Sequence, residues 1–263
     1  MTSSPLFRSY LFVTICCYIT ICCGAFFSSC QADTQSERLR RFVLAQQAAE
    51  QRVSLAPKPD STSIKEDSTD KANNNEIPND TIPRITHRAV VKTSEGAFTL
   101  GLYGKDAPRT VENFVKLAER KFYRGILVHR VAKDFVVQMG DPKTKDRRKR
   151  DEWGNGGESA FGEPFETEIQ PDAPSVKRGY KRGTLAMANR GAETNTSQFF
   201  VCLRDTPEMP LKYSIFGEVL EGIETLDSIG AQKIIPILNK NDGRPVKSVV
   251  ITGVSVSRVS RKR

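Results

Sequence analysis

From Ala89 onward the chain alternates apolar and polar residues, and no other feature restricts its fold as strongly. Side chains on a strand point to opposite faces with period two, so such alternation marks half-buried strands. Ala89-Val90-Val91 and the run Ala97 to Tyr103 flank Glu95-Gly96, which predicts a hairpin. Further strand-like runs are Leu127 to Val131, Phe135 to Met139, Thr184 to Ala188, Phe199 to Cys202, Tyr213 to Gly217 and Lys247 to Val254. Two stretches break the pattern. Val111, Phe114, Val115 and Ala118 have the spacing of a helix with one apolar face, which Thr110 or Asp106 is suited to cap. Ile223, Leu226 and Ile229 predict a second, shorter helix. Many strands with two helices imply a mainly β fold, a closed β structure capped by helices. A core is therefore expected in the C-terminal two-thirds of the chain, a stretch long enough to bury most of its apolar surface without disulfides or metal.

The chain ahead of this domain has a different character. Arg8 precedes an uncharged apolar run of 18 residues, Tyr10 to Phe27, and small or polar residues follow at Ser28 to Asp33. Residues 1–32 therefore read as an export signal, which directs the protein to the secretory route. Three endings fit: cleavage after Ala32, lipidation of Cys30 in the lipobox-like Phe27-Ser28-Ser29-Cys30, or retention as an anchor, since the run just reaches bilayer-spanning length. The mature protein would accordingly be tethered to a membrane in the cell envelope or secreted. Residues 33–86 form a spacer. Leu39, Phe42 and Val43 stand at helical spacing near arginines, as in a short helix lying on a membrane surface or a frayed segment of the spacer. Residues 54–84 are rich in Ser, Thr, Asn, Asp, Lys and Pro and lack the apolar pattern that repays ordering entropy.

Charge and reactive residues exclude several classes of function. The net charge is +9, yet its densest clusters, Lys143 to Arg150 and Arg258 to Arg263, carry no interleaved aromatics and belong to no recognition helix. Nucleic-acid binding is therefore not expected, and the clusters read as a solvated loop and tail. Five of the six cysteines fall within the first 30 residues, which leaves Cys202 as a small core residue and rules out a disulfide in the domain. His87 and His129 are the only two histidines, too few for a histidine metal cluster. With no phosphate loop and no GxGxxG, no metal, nucleotide or other cofactor is expected.

Seven segments in consistent order resemble the cyclophilin family. They are Val111-Glu112-Asn113-Phe114; Val128-His129-Arg130-Val131 leading into Phe135 to Asp141; Gly154 to Ser159; Leu185 to Asn189; Thr194 to Phe200; and Ile215-Phe216-Gly217. The resemblance covers about residues 87–256, followed by a basic tail at 257–263, and implies that this domain is a closed eight-stranded antiparallel β-barrel with a helix at each end and a proline site on its outer face. It implies rotation about X-Pro bonds in exported polypeptides, or alternatively a proline-binding chaperone or interaction module with little isomerase activity. Proline-containing polypeptides would be the partners, and a monomer is expected.

The resemblance also assigns roles. Arg130, a permanently charged planar donor, would hydrogen-bond the twisted amide, with Gln138 orienting it and Phe135 completing the catalytic set. Val136, Phe135 and Phe200 would floor the proline pocket; their other reading is plain barrel core. Ala188 and Asn189 would bind substrate main chain through backbone groups, and Gln198, Met209 and Tyr213 would complete the substrate-binding set. Three departures stand out. Tyr213 takes a position where most cyclophilins have histidine, Glu208-Met209 stands where many have Trp-Leu, and Lys143 to Trp153 contains an insertion. Tyrosine can still close the pocket, while the missing tryptophan weakens the expectation of tight cyclosporin binding. The insertion reads as a modifier of substrate choice, toward acidic peptides, or as a solvated loop.

Overall fold

The structure is a computed structural model in which residues 82–260 are described. The predicted export signal, the spacer up to Thr81 with its candidate helix, and residues 261–263 of the tail lie outside the described residues. Among the described residues no helix is long and apolar enough to cross a membrane.

The alternation carries directly into strands. β1 (His87–Thr93) and β2 (Gly96–Leu102) form the predicted hairpin, with Thr93 Oγ1 donating to Gly96 O at 2.8 Å. Helix α1 (Pro108–Glu119) buries Val111, Phe114, Leu117 and Ala118 along one stripe. There follow β3 (Arg130–Ala132), β4 (Val136–Met139), the short helix α2 (Pro174–Arg178), β5 (Thr184–Met187) and β6 (Phe199–Cys202). The chain ends with β7 (Ile215–Glu221), helix α3 (Ile223–Gly230), β8 (Ile234–Asn239), β9 (Asp242–Pro245) and β10 (Ile251–Arg258).

Neither expected cap serves α1. Its first turn is satisfied from a distant loop: the Glu168 carboxylate accepts from Arg109 N, Thr110 N and Thr110 Oγ1 at 3.0, 2.7 and 2.6 Å. A carboxylate there meets the positive end of the helix dipole as well as its orphan donors. Asp106 caps a different helix, accepting from Ser175 N in α2 at 2.9 Å.

The fold is mainly β. One antiparallel sheet of ten strands runs in the order β10-β1-β2-β7-β5-β6-β4-β3-β9-β8. The expectation of eight closed strands needs correction, because β8 and β9 form an additional hairpin and the order has two ends, β10 and β8. Pro236 and Pro245 hid this hairpin from sequence reading, since proline removes a ladder donor. Pro236 is tolerated because β8 is an edge strand. Where β10 begins, Ile251 N donates to Ile126 O and Gly125 N to Ile251 O, each at 2.8 Å, so this end of the sheet lies against the segment leading to β3.

The short central strands have two apolar faces. Val131, Val137, Met139, Leu185, Phe199 and Val201 point into the main core, where the Phe114 ring lies 5.1 to 5.7 Å from those of Tyr123, Phe199 and Phe216. The alternate residues Ala132, Val136, Ala186, Phe200 and Cys202 form a second cluster with Tyr103, Tyr180 and Ile215. A strand that packs on both faces still alternates between them, and this second face carries the candidate site.

Candidate active site

Strand register assembles the site. Arg130 is paired with Gln138 across β3 and β4, Gln138 with Phe200 across β4 and β6, and Phe200 with Ala186 across β6 and β5. Directly opposed residues share a face, so these four form one row across the sheet. Ala132, Val136 and Cys202 form the next row. Phe135, in the turn before β4, packs against the same cluster with Ala188, Met209 and Tyr213, all partly buried.

Polar contacts fix the row at its charged end. Arg130 Nη1 donates to Gln138 Oε1 at 3.1 Å, and Gln138 Nε2 donates to Gln198 Oε1 at 2.9 Å. On its other side the guanidinium grips Asp242 of β9, through Nη2 to Oδ2 at 2.7 Å and Nε to Oδ1 at 2.9 Å. The Asp242 side chain is only 9% exposed, against 27% for Arg130, so this is a fork-to-carboxylate pair largely shielded from water. A guanidinium has five N–H donors. Three are used inside the protein, which leaves two for a substrate at the exposed edge.

All ten residues singled out from the sequence lie in or beside this face, and three of them also make contacts within the protein. Gln198 is buried, and its amide is spent within the protein: Oε1 on Gln138, and Nε2 on Gly154 O at 3.0 Å and Gly156 O at 2.6 Å. It thereby positions Gln138 and the Gly154–Gly156 segment. The Ala188 N–H donates to Gln198 O at 2.9 Å, which narrows its offering to the carbonyl. The Asn189 side chain donates to Lys212 O at 2.9 Å and thereby ties down the segment carrying Tyr213.

Tyr213 stands over the Phe200 ring, centroids 5.4 Å apart and edge to face. Its backbone is clamped by one hydroxyl: Tyr180 Oη donates to Tyr213 O at 2.9 Å and accepts from Tyr213 N at 3.0 Å. Glu208 turns away to pair with Arg204, while Met209 packs on the apolar cluster. Cys202 lies at the floor, fully buried, and burial pushes its thiol up to about 12, so it stays protonated and unreactive.

The insertion leaves and returns at a single buried carboxylate. Asp141 Oδ1 accepts from Lys143 N at 2.8 Å, and Oδ2 accepts from Gly154 N and Gly156 N at 2.6 and 3.1 Å. Beside it His129 is buried, and among the described residues neither ring nitrogen has a hydrogen-bond partner. Burial holds its pKa down to about 4, against the opposing pull of Asp141, so the ring is neutral near pH 7.

Sequence reading missed Asp242 and Tyr180, and gave Asp141, quoted within a family segment, no role of its own. Asp242 sits in Asp-Gly-Arg-Pro, a string whose local signal is a turn, and Arg130 is 112 positions away.

Comparison with known proteins agrees with this geometry. The family described as "Cyclophilin type peptidyl-prolyl cis-trans isomerase/CLD" matches residues 88–256. Peptidyl-prolyl cis-trans isomerase CYP18-2 of Arabidopsis thaliana is 37% identical over 179 residues, covering 68% of this chain and 96% of the relative. Peptidyl-prolyl cis-trans isomerase-like 1 of Mus musculus is 40% identical over 161 residues, covering 61% and 87%. The crystal structure of a Cryptosporidium parvum cyclophilin type peptidyl-prolyl cis-trans isomerase superimposes with a TM-score of 0.56 at 28% identity, covering 67% of this chain and 100% of that one. The same protein in the presence of the dipeptide Ala-Pro gives 0.55 at 28% identity, covering 65% and 98%. With the family match spanning the strands that build the Arg130 row, and relatives aligned over most of their own length, the chain belongs to the cyclophilin-type peptidyl-prolyl cis-trans isomerase family.

Proposed function

We propose that this protein catalyses rotation about X-Pro bonds in exported polypeptides, with Arg130 as the group that favours the twisted amide. The uncatalysed barrier is about 18–20 kcal/mol and is crossed in tens to hundreds of seconds. No bond to carbon is made or broken, so the catalyst must bind the twisted amide better than the planar one. Twisting withdraws the nitrogen lone pair from resonance, which makes that nitrogen an acceptor. The observation that carries the proposal is a guanidinium with two unspent N–H groups, locked by Asp242 and Gln138 at the edge of the apolar face. Hydrogen bonds from a charged donor contribute about 1.5–3 kcal/mol each. One formed in the twisted state alone would accelerate rotation about 10- to 100-fold, at 1.36 kcal/mol per decade.

Phe135, Val136, Phe200, Met209 and Tyr213 supply the apolar surface for the proline ring. The carbonyl of Ala188, whose N–H is taken by Gln198 O, and the backbone of Asn189 are assigned to the substrate main chain. The relative determined in the presence of Ala-Pro supports a proline-containing ligand for this site. The apolar run at Tyr10 to Phe27 supports export, as a secreted or membrane-tethered protein.

A protease-coupled assay on an X-Pro peptide tests the proposal. Arg130→Ala is expected to lower kcat/KM at least tenfold. Equal activity of the two proteins would defeat the catalytic reading and leave a proline-binding module.

A further inference from the structure

Charge in the insertion is unevenly neutralised. Lys143 and Lys149 pair with Glu152 at 3.0 and 3.6 Å, and Arg148 pairs with Asp146 at 3.0 Å. Arg150 and Arg244 have no carboxylate within 4.0 Å among the described residues. Both instead lie over one ring: their guanidinium carbons are 6.0 and 5.5 Å from the centroid of Trp153. The arrangement is fixed, since Trp153 Nε1 donates to Asp146 O and Arg244 Nη1 donates to Arg150 O, each at 3.1 Å. Two like charges thus share one ring, and among the described residues no carboxylate within 4.0 Å neutralises either. Such a pair attracts an anion from outside.

Its place in the fold says which anion. Arg244 stands two positions after Asp242 on β9 and so shares its face, and Asp242 grips Arg130. From the other side Gln198, bonded to Gln138, holds the carbonyls of Gly154 and Gly156 just after Trp153. The stack is thus bound at both ends to the groups that form the proline site.

We propose that Arg150, Trp153 and Arg244 form a subsite for an acidic side chain next to the proline of the client, so that acidic polypeptide segments are preferred substrates. The proposal rests on the isomerase reading and adds a substrate class to it. Guanidinium groups suit carboxylates through paired N–H donors, and the indole shields one side from water. A single cluster beside a peptide groove fits this occupant better than a nucleic acid, which needs basic groups spaced along a backbone with bases to stack.

The test compares three X-Pro peptides that differ only in the flanking residues, Glu, Gln or Lys, using the full chain with Arg150→Gln and Arg244→Gln, singly and together. Turnover is followed by the protease-coupled assay, and binding separately by the fluorescence of Trp153, the only tryptophan. The Glu peptide is expected to exceed the Gln peptide about 3- to 10-fold in kcat/KM, mainly through KM. That advantage should fade toward 1 M salt, where the Debye length is about 3 Å. In the double variant it should vanish while the Gln peptide turns over as before. Equal binding and turnover of the Glu and Gln peptides would overturn the proposal, as would a preference that survives the double variant. Competition by a single-stranded oligonucleotide that outbinds the Glu peptide would also overturn it, in favour of nucleic acid. Preferential binding of the Glu peptide with no turnover of any peptide would uphold the subsite and refute the isomerase reading instead.

Discussion

Replacing Asp242 by asparagine removes one negative charge at nearly constant volume and isolates what that carboxylate does for Arg130. In the native protein it receives Nη2 at 2.7 Å and Nε at 2.9 Å, and among the described residues only Gln138 otherwise holds the guanidinium. Breaking a fully buried ion pair costs about 3–5 kcal/mol, because the surviving charge is left uncompensated. Here the Arg130 side chain is 27% exposed and can recruit water, so about 1–3 kcal/mol of folding stability is at stake. The effect on catalysis is a separate quantity. A guanidinium freed to rotate by about 1 Å no longer points its spare donors at the amide nitrogen, and misplacement on that scale costs up to about 100-fold. Asp242→Asn is therefore expected to lower kcat/KM about 10- to 100-fold in the protease-coupled assay, with the loss mainly in kcat. Urea denaturation of the same sample reports stability and confirms that the protein assayed is folded. The decisive control is the double-mutant cycle: in an Arg130→Ala background, Asp242→Asn should cause almost no further loss. A folded Asp242→Asn protein with native kcat/KM, or losses that multiply in the double variant, would refute the role assigned to Asp242.

Two further outcomes are expected. His129 has a folded-state pKa of about 4 against about 6.5 in the unfolded chain, so between these values the unfolded state takes up the proton first. The stability it contributes is fully present above pH 6.5 and is lost as the pH falls toward 4; urea midpoints across this range should drop less steeply in His129→Gln, and parallel profiles would contradict the assignment. In Gly156→Ala the new methyl carbon would stand 2.1 Å from Asp141 Oδ1, so the staple of the insertion must shift, at a cost of about 1–3 kcal/mol. A lowered urea midpoint with altered Trp153 emission is expected, and native values of both would show that the loop accommodates the methyl group freely.

Local pattern determined much of this protein. Period-two alternation specified most of the central strands and, with it, that Phe200 and Gln138 turn away from Phe199 and Met139. The spacing of Val111, Phe114 and Ala118 determined helix α1. Such patterns are legible because the geometry of a helix or strand relates neighbours within a few positions, and the ordered segments around Arg130, Phe135 and Gln138 carried the family resemblance. Only the tertiary structure decided what holds these groups. Asp242 reaches Arg130 across 112 positions, Glu168 caps α1 across 58, and Tyr180 clamps Tyr213 across 33. In each case the recognising element is a single polar side chain brought in by folding, with no periodic neighbourhood to announce it. The same holds for Gln198, whose side chain is bonded between Gln138 and two glycine carbonyls and supports both. Sequence determined which faces are apolar; sheet register and long-range carboxylates decided how one arginine on such a face is aimed.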